Sequence, residues 1–461
     1  MKKTTRVLTA LTLTLTALAC APRAPQAAAA TACEPLTGPV EGGPAATTVA
    51  TIEQAYDCVF ARYYGAPALD HRTVLAAGFA AFTQHLQRHG LDRPDATMPA
   101  LGGDRDADRE AFARVYARVA ESLPERARQA AAEATLKGMI EALHDNHAAW
   151  VRPREDEPGE PGTAYGSGVT GMSGHRGGRP DPAVGPPLHI TSVMPGSPAA
   201  EGGIRPGDVV VSVDGAPPYV AGLLSPGVLA LLAEDRPLRL VMRRPATGRT
   251  WQLTLKPARF TAEPPAMSAG RTRGAAYVKL PDFGPGAADR VISAVGELRK
   301  KGEPSGVVLD LRGNRGGSPR EVARLLGAFA HGKVTGHECD VRGSCTAIRT
   351  DDSVPLLKLP LVVLTDRQCA SACDDFTAAV KGLKLAPLVG TRTAGALSGP
   401  ASAFGLGDGS ILLLPAKRHV GPNKEVVDEI GVAPDHHVPL TAEDLSKGRD
   451  PGLAKAIELL S

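Results

Sequence analysis

LVVLTDRQCASACDDF, residues 361–376, changes character twice along its length. Leu361–Thr365 is an unbroken apolar run rich in β-branched residues, the mark of a strand covered on both faces. A short turn follows, and the pattern from about Ser371 to Gly382 is helical. Ser371 therefore stands where a buried strand becomes a helix. Its hydroxyl is exposed there at a sheet edge, and the helix N-terminus adds positive potential. Asp374 and Asp375 suit the first helical turn. A serine so placed is either a helix cap or a nucleophile, and the rest of the chain must separate the two.

Outward from this stretch, strand and helix alternate from residue 274: strand 275–280, helix 286–301, strand 306–311, helix 319–330. Such alternation predicts an α/β layered core with buried strands. The second strand runs into LDLRGNRGG (309–317), where Gly316 and Gly317 let main-chain N–H groups approach a developing oxyanion without a Cβ in the way. Upstream, residues 164–258 form a separate module. Short β segments (188–193, 209–213, 238–242, 251–255) lie between Gly/Pro turns, with a helix near 225–234. Linkers rich in Pro, Gly and charge (152–163 and 257–270) flank it. Earlier still come four helices. The first, 51–64, is expected to start with a capping box of Thr51 and Gln54, and the second carries Leu75, Phe79, Phe82 and Leu86 on one face. Two more span 107–122 and 126–143. Asp104, Asp106 and Asp108 lack the glycine and glutamate of a calcium loop and read as an acidic helix N-terminus.

With 461 residues, 43% of them hydrophobic, the chain is long enough for two or three domains. The net charge of +3, with no basic cluster or aromatic-basic interleaving, argues against nucleic acid as a partner. Lys2, Lys3 and Arg6 followed by the apolar stretch 7–18 read as an export signal, too short and Thr-rich for a membrane span. Residues 17–20 are similar to a lipobox that would lipidate Cys20. They also fit an ordinary small-x-small cleavage site, as do residues 28–30. Six further cysteines suit an oxidising, extracytoplasmic compartment: Cys33, Cys58, Cys339, Cys345, Cys369 and Cys373. Cys33–Cys58 is one expected bridge; pairing within the other four stays open. Their spacing lacks a zinc knuckle, and no metal or other cofactor is expected.

The run PGSPAAEGGIRPGDVVVSVDG (195–215) resembles a PDZ domain, and its order before the Gly-Gly turn and the serine of ASACDD resembles the carboxyl-terminal processing (tail-specific) protease family. The resemblance implies a multidomain α+β protein. Its parts would be a signal and tether (1–32), a helical N-terminal domain (45–150), an inserted PDZ-like β module (164–258) and a ClpP/crotonase-like α/β serine peptidase core (270–461). It implies Ser371 as nucleophile; Gly316, Gly317 and Ala372 as sources of the oxyanion donors; and Gly166, Ser167, Gly168 and Val169 as the loop holding a peptide carboxylate.

A serine hydroxyl needs a base. The better-known branch places a lysine in a segment similar to GTRTAGALSGP (390–400), but Ala396 stands there. Arg392 does not deprotonate, and Lys381, Lys384, Lys417 and Lys424 fall outside the motif. A second branch, similar to the tricorn protease core, uses Ser, His and an acid. GMIEALHDNHAAW (138–150) puts His147 in the position of its base, with His144 a weaker candidate, and VVDEIGVAPDHH (426–437) puts Asp428, or adjacent Glu429, in the place of its acid. The expected function is that of an exported serine endopeptidase acting on protein or peptide substrates, with its PDZ-like module engaging their C-termini. A bridge from Cys369 or Cys373 would brace the serine turn. The alternatives are a catalytically silent cell-surface peptide binder and an enzyme using an unmatched lysine.

Overall fold

A computed structural model describes residues 33–38, 45–152, 162–176, 179–181, 183–225, 228, 236–263 and 265–461. The expected export segment with Cys20, and most of the helix expected near 225–234, lie outside the described residues.

The C-terminal core is built on a six-stranded sheet in the order Ser268–Thr272, Ala275–Lys279, Val307–Asp310, Leu361–Thr365, Leu388–Gly390, His436–His437. The first pair is antiparallel and the rest are parallel. Parallel strands need cover on both faces, and alternation along the strands supplies it. Val307, Leu309, Leu361 and Val363 pack with the helices Ala287–Lys300, Pro319–Gly327 and Ala372–Gly382. Val308, Val362 and Leu364 pack instead with the helix Pro451–Leu459. Every residue of Leu361–Thr365 is buried, which is why that stretch carries no polar alternation.

The N-terminal helices are Val49–Arg62, His71–Arg88, Arg105–Glu121 and Glu125–Glu141. The first begins ahead of its expected cap: Thr48 is the N-cap, and Thr51 sits in the first turn, its hydroxyl accepting from the Thr48 N–H at 3.4 Å. Thr51 thus makes the return bond of a capping box. The aspartate triple is structural, as expected. Asp104 caps the third helix through the Ala107 N–H, and buried Asp108 accepts from the Gly102 and Gly103 N–H groups. Among the described residues no cluster of His, Cys, Asp or Glu could hold a metal ion.

The helical half does not close its core alone. Phe404, Leu406, Leu412 and Leu414, from the hairpin Ala401–Gly405/Ile411–Pro415, are buried among the helices together with Trp150. That hairpin pairs with the strand Ala149–Val151, immediately after His147. A late segment of the chain therefore clasps an early one.

The middle module is a small β unit around Val169, Met172, Ile190, Val210, Leu240 and Met242. It rests on the core through polar contacts. Arg315 donates to the Thr170 carbonyl at 2.5 Å, Gln368 to the His175 carbonyl at 2.9 Å, and Arg367 pairs with Asp181. Cys33 is bonded to Cys58, and among the four cysteines whose pairing the sequence left open the bonds are Cys339–Cys345 and Cys369–Cys373.

Candidate active site

Ser371 is the N-cap residue of Ala372–Gly382, with φ 57° and ψ −119°, a conformation that L-residues seldom occupy. Neighbouring groups impose it. Asp366 at the end of the strand accepts the Gln368 and Cys369 N–H groups and the Gly313 N–H of the adjacent turn. Ala370 donates its N–H to the Asn314 carbonyl. Cys369 and Cys373, both fully buried, are bonded across the serine. Asp374 accepts from the Ser371 N–H at 3.1 Å and from Gly395 N–H, Ala396 N–H and the Thr393 hydroxyl at 2.9, 2.9 and 2.5 Å. Burial pushes its carboxyl up to about 6, against the opposing pull of those donors. One carboxylate thus ties the serine turn to the loop 393–396.

His147 comes from 224 positions earlier in the chain, on the turn between the helix Glu125–Glu141 and the strand Ala149–Val151. Its Nε2 lies 3.2 Å from Ser371 Oγ, within reach for proton transfer, and its Nδ1 lies 2.8 Å from Ser398 Oγ. The Ser398 hydroxyl is 2.7 Å from Asp145 Oδ1, which also accepts the His147 N–H at 2.8 Å; Tyr63 OH donates to Asp145 Oδ2 at 3.1 Å. His144 is exposed and has φ 50°.

Some expected positions differ. The group against Nδ1 is Ser398, where the sequence reading put Asp428 or Glu429. The loop 395–398 explains the change, because Asp428 accepts the Leu397 N–H at 3.1 Å and the Asn146 side-chain amide at 2.9 Å and so holds this loop beside the histidine turn. Glu429 is exposed, with φ 62°. Ser398 sits in the very segment searched for a lysine, but a serine in GALSGP carries no signal distinguishing it from a turn residue. Gly316 also departs from expectation. Its N–H is already donated to Asn314 Oδ1 at 2.8 Å. Its lack of a Cβ matters instead, since a Cβ there would stand 2.7 Å from Ser371 Cβ and 2.8 Å from Ala372 N. The N–H groups of Gly317 and Ala372 make no hydrogen bond among the described residues.

The lysines lie elsewhere. Lys381 pairs with Asp435 at 2.9 Å and Lys417 with Glu338 at 3.5 Å, while Lys384 and Lys424 are exposed. In the middle module, Gly166 pairs with Ala258 and Val169 donates to Ser167 Oγ at 3.2 Å. A Cβ on Gly168, at φ 79°, would collide with Ser197.

Residues 274–438 match peptidase family S41, and residues 189–244 match the PDZ domain family. The chain is 31% identical over 314 residues to carboxyl-terminal-processing peptidase 2 of Arabidopsis thaliana chloroplasts, covering 66% of this chain and 60% of that protein. It is 30% identical over 284 residues to putative tricorn protease homolog 2 of Streptomyces coelicolor, covering 57% of this chain and 22% of the relative. The chain thus spans about three fifths of the first of these relatives. Among solved structures, the photosystem II D1 C-terminal processing protease shares the fold, with a TM-score of 0.53 at 22% identity over 89% of this chain and 96% of that one.

Proposed function

From the match of residues 274–438 to peptidase family S41, we propose that the chain is an exported serine endopeptidase of that family that cleaves peptide bonds through an acyl-enzyme, with Ser371 as nucleophile and His147 as base. The observation carrying this reading is the 3.2 Å approach of His147 Nε2 to Ser371 Oγ between groups 224 positions apart in sequence. A structural serine cap has no use for an imidazole delivered from another domain. In the reaction, Ser371 Oγ attacks the scissile carbonyl as its proton passes to Nε2. The imidazolium then protonates the leaving amine, and a water deprotonated by the same nitrogen releases the acyl group. The unengaged N–H groups of Gly317 and Ala372 supply the oxyanion donors.

The finer parts of the reading rest on the match to PDZ domains and on the three disulfides. The module bordered by 164–258 engages substrate C-termini, with Gly166, Ser167, Gly168 and Val169 receiving the carboxylate. The helical domain of 45–150 presents the base to the 270–461 core. The disulfides fit an extracytoplasmic enzyme, anchored at Cys20 if the lipobox is used.

An active-site fluorophosphonate probe and a fluorogenic peptide test the central claim. Wild-type protein should be labelled, Ser371→Ala should not, and His147→Ala should lose hydrolysis by several orders of magnitude. Undiminished hydrolysis by His147→Ala would remove the assignment of the base, and unlabelled wild type would leave a peptide binder.

A further inference from the structure

The hydrogen bonds behind His147 form a chain whose proton positions are fixed by chemistry. Asp145, 5% exposed, is an acceptor when ionised, and its Oδ1 lies 2.7 Å from the hydroxyl of Ser398, itself fully buried. Ser398 has one proton to give. Its other close polar neighbours are His147 Nδ1 at 2.8 Å and the Asn146 side-chain carbonyl, again an acceptor, at 3.4 Å. With that proton committed to a carbonyl or carboxylate oxygen, Ser398 meets Nδ1 with a lone pair. Nδ1 must therefore carry the hydrogen, which leaves the lone pair of Nε2 facing Ser371.

We infer that Ser398 and Asp145 are positioning residues that set the His147 tautomer and stabilise its charged form, a role that the family resemblance implied for Asp428 or Glu429. The inference rests on Ser371 and His147 as the reacting pair. When Nε2 takes the Ser371 proton, the positive charge on the ring is met by the Ser398 oxygen, polarised by the Asp145 carboxylate behind it. No proton need leave Nδ1 for this, so the chain orients and polarises without relaying. The same Asp145 Oδ1 accepts the main-chain N–H of His147, so a single atom holds both the backbone and, through Ser398, the ring. Ser398 is fixed in turn, because its carbonyl accepts the His419 N–H at 2.8 Å.

Two measurements test this. In ¹⁵N-labelled protein at neutral pH, His147 should show the Nδ1–H tautomer; a predominant Nε2–H tautomer overturns the inference without any reference to activity. Kinetically, Ser398→Ala should lower kcat by about tenfold to a hundredfold with KM changed less than about twofold, and should move the acidic limb of the kcat/KM profile to lower pH, because the imidazolium has lost its support. Asp145→Asn keeps an acceptor oxygen but removes the charge and should shift that limb in the same direction. Ser398→Thr, which keeps the hydroxyl, should recover most of the loss. If Ser398→Ala retains wild-type kcat and pH profile while His147→Ala is inactive, the positioning role fails and the base assignment stands. Full activity in His147→Ala would instead defeat the reading on which the inference rests.

Discussion

Asp310 closes the strand Val307–Asp310 just before the glycine turn that borders Ser371, and it is almost wholly buried. Burial alone raises a carboxyl, but Arg312 forks onto it at 2.7–2.9 Å, Lys279 stands 3.4 Å away and Tyr277 donates at 2.7 Å, and together they bring it down to about 2. A carboxyl depressed in the folded state adds stability that is complete above its ordinary range near 4 and is lost as the pH falls through 2. Chemical denaturation between pH 5 and pH 2 should therefore show about 2–3 kcal/mol of acid destabilisation that Asp310→Asn lacks. An Asp310→Asn protein with the wild-type acid slope would show that the pair is not the source. Ser398 offers the opposite lesson at this scale. Asp310 announces itself in LDLRGN by its arginine two residues on, whereas nothing within ten residues of Ser398 reveals that an imidazole from residue 147 will meet it.

Among the elements, the strand–turn–helix around Ser371 has a brace of a kind the other two disulfides do not provide. Cys369–Cys373 spans the serine inside the core, whereas Cys339–Cys345 closes the tip of the hairpin Val334–Cys339/Cys345–Arg349, where Cys345 is exposed. Replacing both Cys369 and Cys373 with alanine should slow fluorophosphonate labelling about tenfold or more, while the same change at Cys339 and Cys345 should leave it within about twofold; equal effects would deny the brace. The element pattern was largely legible. Fully buried strands wrote themselves as apolar runs, and helices as amphipathic periods ended by caps. The start of the first helix was misread because Thr48 and Thr51 are both competent caps and only the fold chooses between them. The carboxylate behind the histidine was misplaced for a different reason. Asp428 does lie near the site, but the loop 395–398 folds between it and the ring, and loop paths are set by contacts distant in sequence.

At the scale of the whole molecule, His147 and Ser371, the proposed base and nucleophile, belong to different halves, and the hairpin 401–415 joins them. Phe404, 1% exposed, is buried among the N-terminal helices although it follows Ser371 in the chain. Phe404→Ala should cost about 3–5 kcal/mol. Hydrogen exchange should rise in the helices as well as in the hairpin, and fluorophosphonate labelling should weaken with Ser371 untouched. Unchanged protection of the helix Glu125–Glu141 would mean that the clasp does not stabilise the helical half. This crossing had no signature in the sequence, where nothing in residues 401–415 marks them as cover for the N-terminal helices. It has a temporal meaning as well. A ribosome delivers residues in order, so the helices wait with an open apolar face until position 415 has emerged. Only then can the imidazole settle beside the hydroxyl, so in a half-made copy of the protein the proposed base and nucleophile are still apart.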